Sequence, residues 1–399
     1  MDIRERIKDY ITSQDAVYRA LALDLHAHPE VCNEEYHACE ILSSQLTREG
    51  FTVKTDIAGH PTGFTAVYKS EKAGPVLVFL AEYDALPGLG HGCGHNLFGP
   101  TSCLAAAALK QVIDEVGGEV RVYGTPGEEG GINGSAKGSF VREGYLEGVD
   151  AALCVHPGDV DEVTSHLIAC APCDIEFWGK PSHAAAAPEK GINALDALIL
   201  TYNGINALRQ HLPSDVRIHG VITHGGDAAN IVPEYASARF FFRAATAPVL
   251  DMVYRKMDNI VAGAALMTGA KGSLKPVQNR VENMILTPLL DKVYAEEMAG
   301  LGVKVGTPNP TRSVGSSDVG NISQVVPTIQ PTIRITTVPT PWHTEASRDA
   351  SCSELGLQSI ALGAKALAFT ALRLIQDPAL LRAIQAEHRE ALRVQAAQG

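Results

Sequence analysis

Positive charge is in short supply: 33 lysines and arginines stand against 45 aspartates and glutamates, a formal net charge of −12. A general nucleic-acid binder, or a protein held on an anionic membrane surface, needs the opposite balance. Net charge says nothing of a local pocket, so an anionic substrate stays open. Long hydrophobic runs are also scarce. The start, Met-Asp-Ile-Arg-Glu-Arg-Ile-Lys, carries a charge at every turn, whereas an export signal needs an apolar run of about 7–15 residues. No unbroken apolar stretch reaches the roughly 18 residues that span a bilayer; the longest, around 104–109, is alanine-rich. The expectation is a cytoplasmic protein without nucleic-acid or membrane partners.

Cysteine is present but unorganised. Eight are scattered at positions 32, 39, 93, 103, 154, 170, 173 and 352, which is no disulfide framework in a chain without an export signal. Cys170-Ala-Pro-Cys173 has the CxxC spacing, but neither a helix start nor a second pair accompanies it, so buried thiols are expected. Internal repeats and low-complexity tracts are lacking, as are the glycine patterns of phosphate loops and dinucleotide sites. With 45% hydrophobic and 20% charged residues over 399 positions, the chain reads as globular, with two or three folding units.

Periodicity is what the chain does have. Ile7, Ile11, Leu21 and Leu25 fall at helical spacings. A second helix is expected over 34–49, with Gly50 where a C′ glycine belongs. Alternating strands follow near 51–57 and 64–68. Continuously apolar runs appear at 75–80, 120–123 and 151–155, with a helix over 101–116 between the first two. Strands apolar on both faces belong to a buried, largely parallel sheet, and their alternation with helices is an α/β signature. Near residue 170 the pattern changes. Segments 174–178, 217–222 and 236–242 alternate like half-exposed antiparallel strands, interleaved with helices near 192–210 and 249–267. After about 283 the α/β pattern returns, with an apolar strand at 332–335 and long C-terminal helices. The expected fold is α/β: a mostly parallel-sheet domain of phosphorylase/hydrolase-like type from 1–169 and 283–399, with a smaller α+β domain, 170–282, inserted in it.

Open α/β sheets bind ligands outside the carboxyl ends of their strands. Glu82-Tyr-Asp84 and then Gly92-Cys93-Gly-His95 follow the first apolar strand, and Gly127-Glu128-Glu129 the second. His156 follows the third, and Trp342-His343 comes after the strand near 335. Thiolate, imidazole and carboxylate are the donors of zinc and its neighbours. Glycines around Cys93 and His95 let both side chains face one ion. Of two adjacent glutamates, one can bind metal while the other shuttles a proton. Each residue alone has an ordinary explanation, a solvated glutamate pair or a rim histidine; four strand ends together point to a metal site.

These motifs, with Gly179-Lys-Pro-Ser-His183-Ala-Ala, Asn230-Ile-Val-Pro233 and the late His343 in the same order, resemble the aminoacylase and carboxypeptidase-G family of two-metal peptidases and amidohydrolases. The Cys-Gly-His form resembles its amidohydrolase branch, which includes aminobenzoyl-glutamate hydrolases, N-acyl-amino-acid hydrolases and β-alanyl-lysine-type dipeptidases. The resemblance covers nearly the whole chain. It implies two divalent ions, Zn or Mn, held by Cys93, His95, Glu129, His156 and His343. Glu128 is then the general base and His183 the oxyanion donor from the lid or a partner subunit. The inserted domain is implied to be a lid that makes a homodimer. Many relatives have His-x-Asp where this chain has Glu82-Tyr-Asp84, so Glu82 is not assigned as a ligand and Asp84 orients one from behind. Asn230 and Arg243 are candidates for holding the substrate, with an ordinary surface arginine as the alternative for Arg243. Residues 315–320 read as a turn-rich loop.

The expected activity is metal-dependent hydrolysis of an amide or peptide bond in a dipeptide or an N-acyl or aroyl amino acid. The alternative is a metal- or peptide-binding protein without catalysis; the presence of Glu128 speaks against it. A thiol hydrolase using Cys93 and His95 is disfavoured, because residues two apart on a glycine loop do not readily form a nucleophile–base pair. A closed structural zinc site would need ligands close in sequence.

Overall fold

The computed structural model describes residues 2–309 and 315–397. They form two compact units: residues up to Leu167 with Met284–Val394, and Ile168–Asn283 with the segment from Gln395.

The first unit is built on a six-stranded sheet. Its strands run in the order Thr52–Ile57, His60–Lys69, Glu119–Gly124, Val76–Ala81, Ala151–Leu153, Thr328–Ile329. The last four are mutually parallel and the first two pair antiparallel. The continuous apolar run at 75–80 has a physical cause. Leu77, Phe79 and Ala81 pack into one core with the helices Ile3–Ala27, His95–Val116 and Glu354–Gln376. Val78 and Leu80 face a second core containing Phe140, Val319 and Ile322. Both faces are dry, so no position can be polar.

Three expectations are corrected. The helix expected at 101 begins at His95 and carries Pro100 in its second turn. The strand expected over 151–155 stops at Leu153: Ala151–Leu153 stays in the large sheet, and a further strand, His156–Gly158, pairs in parallel with Thr332–Arg334 in a separate two-stranded sheet. Finally, Glu354–Gln376 is apolar and long enough, by length and composition, to cross a bilayer, though Lys365 and Arg373 interrupt it. Most of it is buried in the first unit's core.

The second unit is a four-stranded antiparallel sheet, ordered Lys271–Pro276, Ala169–Trp178, Tyr235–Ala244, Arg217–His224. Helices Ala194–Arg209 and Ala247–Thr268 share a core with Ile175, Phe177, Phe240 and Phe242. The alternate positions carry ion pairs: Arg239 binds Asp174 at 2.8 Å and Lys275 binds Glu176 at 2.9 Å. One wet face and one dry face account for the alternation. Cys170 and Cys173 are buried free thiols on this sheet. Val221 and Ile222 stand exposed on its edge strand.

Candidate metal centre

The Val76–Ala81 strand delivers Glu82, Tyr83 and Asp84 fully buried at its carboxyl end. Tyr83 donates its hydroxyl to the Thr62 carbonyl at 2.6 Å. Asp84 then serves two neighbours: Oδ1 accepts from His95 Nδ1 at 2.8 Å, and Oδ2 accepts from the Glu129 amide at 2.9 Å. One buried carboxylate thus fixes an imidazole and a loop. Because His95 donates from Nδ1, its Nε2 is left to bind something else. His156 is set in the same sense, with Nδ1 on the Pro157 carbonyl at 2.7 Å and Nε2 3.5 Å from Cys93 Sγ.

Gly94, between Cys93 and His95, has φ +80° and caps the His95–Val116 helix. A Cβ there would sit 2.9 Å from the Pro157 side chain. Only glycine lets the loop reverse this close to the His156 segment. His343 also holds a left-handed backbone, φ 61°, with its amide 3.3 Å from the Gly92 carbonyl. A strained non-glycine position of this kind is retained where the surroundings impose it. Its half-exposed Nε2 lies 3.5 Å from Glu129 Oε2.

The donor atoms of Cys93, His95 and His156 lie within 4.8 Å of one another, as do those of Cys93, Glu129 and His343. All five residues assigned by resemblance as ligands are therefore brought together, with Cys93 common to both groups. His95 Nε2 and Glu129 Oε1 are buried without a hydrogen-bond partner, an expensive arrangement unless a cation completes it. Nitrogen, sulfur and oxygen donors in this mix fit zinc or manganese.

Electrostatics point the same way. Burial disfavours a charged ring at His95, but Cys93 and the Asp84 carboxylate outweigh it and hold its pKa well above the ordinary imidazole value. Surroundings that would keep a proton there would equally hold a metal cation. His156 is driven down to about 4 by burial and by His95, which keeps it neutral, as a ligand must be. Glu128, 3.9 Å from His95 Nε2, is pushed well above the usual carboxylate range by burial and by Glu82 and Glu129. A raised carboxylate beside a metal site is suited to taking and returning a proton.

Several participants escaped the sequence. Glu35 is fully buried and takes the Gly127 amide at 2.9 Å and the Thr62 hydroxyl at 2.8 Å, so it anchors the loop bearing Glu128 and Glu129. Burial and Asp84 raise it to about 8. Lys137, also fully buried, lies 2.8 Å from Glu82 Oε1 and 2.5 Å from Asp318 Oδ1. Asp318 is the N-cap of the helix Val319–Ser323, which begins inside the stretch expected as a turn-rich loop. Asn96 is structural: its amide reaches the carbonyls of Ala22 and Ser351.

Three candidates lie in the second unit. His183 is exposed on a turn, and its Nδ1 accepts from the Ala185 and Ala186 amides at 3.2 and 3.1 Å. That fixes the tautomer with the proton on Nε2, a free donor. Asn230 is exposed, its carbonyl accepting from the Ala184 amide at 3.0 Å beside that turn. Arg243 is half-buried over Phe241, with Nε 3.4 Å from His219.

Comparison with known proteins gives the class to which the chain belongs. A peptidase dimerisation domain matches residues 171–266. The Xaa-Arg dipeptidase of Mus musculus is 34% identical over 382 residues, 92% of this chain and 88% of that protein. A p-aminobenzoyl-glutamate hydrolase polypeptide of Escherichia coli (strain K12) is 30% identical over 463 residues, 98% of this chain and 95% of that one. A dinuclear metal-binding peptidase of the M20 family from Bacillus subtilis matches in fold with a TM-score of 0.64 at 20% identity, covering 91% of this chain and 99% of the other. Fold, donor set and relatives define an enzyme that hydrolyses amide or peptide bonds with the help of metal. The chain belongs to the M20 family of peptidases.

Proposed function

We propose that the protein is a two-metal dipeptidase or N-acyl-amino-acid hydrolase. Its ions, Zn or Mn, would be held by Cys93, His95 and His156 on one side and by Cys93, Glu129 and His343 on the other. The observation that carries the reading is the meeting of these two donor groups at Cys93, with the raised carboxyl of Glu128 beside them. The bound ions supply an activated water and a Lewis acid for the scissile carbonyl. Glu128 takes the water's proton as the carbonyl is attacked and returns it to the leaving nitrogen. His183 donates its Nε2 proton in a hydrogen bond to the tetrahedral oxyanion. Asp84 holds His95 and the Glu129 loop in register throughout. Arg243 and Asn230 contact the substrate's carboxylate end.

Dipeptides with a basic carboxyl-terminal residue head the substrate class, because the Xaa-Arg dipeptidases of mouse and human are 34% and 33% identical over most of the chain. The match of residues 171–266 to a dimerisation domain and the exposed edge strand Arg217–His224 support a homodimer formed through the second unit. The test is a substrate panel of Xaa-Arg and β-alanyl dipeptides, N-acetyl amino acids and aminobenzoyl-glutamate, assayed before chelation, after it, and after reloading with Zn or Mn. Activity on one class that is lost and regained with metal is the expected result. Activity indifferent to chelation rejects the mechanism.

A further inference from the structure

We propose that Glu82 is a metal ligand, supplying Oε2 to the ion held by His95, and that Lys137 orients it. The inference rests on the ligand set proposed above and adds a residue which that set omits.

Glu82, His95 and Glu128 form a third group of donor atoms lying within 4.8 Å of one another. Glu82 Oε2 stands 3.2 Å from His95 Nε2, yet neither atom makes a hydrogen bond. Two buried polar atoms, close but misaligned for each other, share a missing partner. The spacing suits one. Nitrogen and oxygen donors at about 2.0–2.2 Å from a tetrahedral ion lie roughly 3.3 Å apart. The gaps from Cys93 to His156 and from Glu129 to His343, 3.5 Å each, belong to the same class.

The other side of Glu82 is built as the back of a ligand. Lys137 Nζ is an ion partner 2.8 Å from Oε1, which like Oε2 makes no hydrogen bond, and Oε2 is the oxygen that faces His95. Ligating carboxylates are held in this way by outer partners. Lys137 is itself fixed by Asp318, which meets Nζ at 2.5 Å and the Lys137 backbone amide at 3.1 Å. Charge completes the argument. Glu82, Asp318 and Lys137 are all fully buried, two carboxylates on one ammonium. Buried charge must be compensated, and a divalent ion on Glu82 Oε2 supplies what Lys137 alone does not.

The test is titration of the metal-free protein with Co(II), reading stoichiometry, dissociation constants and the visible d–d bands. Wild type is compared with Glu82→Gln, Lys137→Met and His156→Ala. The expected result is two ions in wild type. Lys137→Met then weakens one of them about 10–100-fold, as removal of an outer partner does. Glu82→Gln weakens that same ion further and changes its d–d bands, and the other ion keeps its affinity. Wild-type binding of both ions and unchanged bands in Glu82→Gln overturn the inference while leaving the proposed function intact. If wild type binds no metal, or His156→Ala binds it normally, the ligand set proposed above fails, and the inference with it. A zinc-loaded crystal structure of wild type decides the matter even where the variants do not fold: Oε2 within about 2.2 Å of the ion supports the role, and a separation beyond about 3 Å ends it.

Discussion

His60 and His95 put one kind of side chain to opposite uses. His60 is buried between Asn33 Oδ1 at 2.7 Å and Ser139 Oγ at 2.9 Å, and burial, with Arg142 nearby, lowers it to about 4. An unfolded histidine titrates near 6.5. The unfolded chain therefore takes the proton first, so this contribution to stability is complete above about pH 6.5 and is lost as pH falls toward 4. Melting temperatures measured across that window are expected to fall less steeply in His60→Gln than in wild type; parallel curves would contradict this. His183 is proposed for the reverse task, to present a proton. Replacing it with alanine is expected to lower kcat about 10²–10³-fold, the cost of losing an oxyanion donor, with metal content unchanged. Steady-state kinetics beside metal analysis check this, and an unaltered kcat rejects the role. The sequence marked Cys93, His95 and the glutamate pair because glycines crowd around them. It held no hint of the Lys137–Asp318 pair, whose members stand 181 positions apart and meet only in the folded unit.

Elements were legible where periodicity was strong and unclear where local chemistry misled. The apolar run at 75–80 announced a buried strand because both faces are dry. Pro100 concealed the true start of the helix His95–Val116, since proline usually marks a first turn rather than a second. That start matters, because the helix sets His95 directly after the left-handed Gly94. Gly94→Ala forces a side chain into that backbone, a cost of about 1–2 kcal/mol, and into the Pro157 ring behind His156. The variant is expected to melt lower and to take up metal more weakly, as read by calorimetry and a metal titration. Wild-type values for both would show that the loop does not set the site. The strand at 332–335 was legible by its apolar residues but not by its partner. Its pairing with His156–Gly158 depends on a long-range register that no local pattern carries.

On the scale of the molecule, the change from continuous to alternating apolar runs separates a sheet buried on both faces from one buried on a single face. That difference was visible because hydrophobic periodicity reports which faces meet water. The joining of the two cores by one chain leaves all five proposed metal ligands, with Glu128, in the first unit, and His183, Asn230 and Arg243 in the second. In the proposed mechanism Glu128 deprotonates the water activated at the Cys93-centred site. The measurement that bears on it most directly is turnover of the best panel substrate by Glu128→Ala beside wild type, with bound metal quantified in both. Full metal occupancy with activity reduced about 10²–10⁴-fold, the range for losing a general base, is the predicted result. Full activity in the variant would show that Glu128 is not the base.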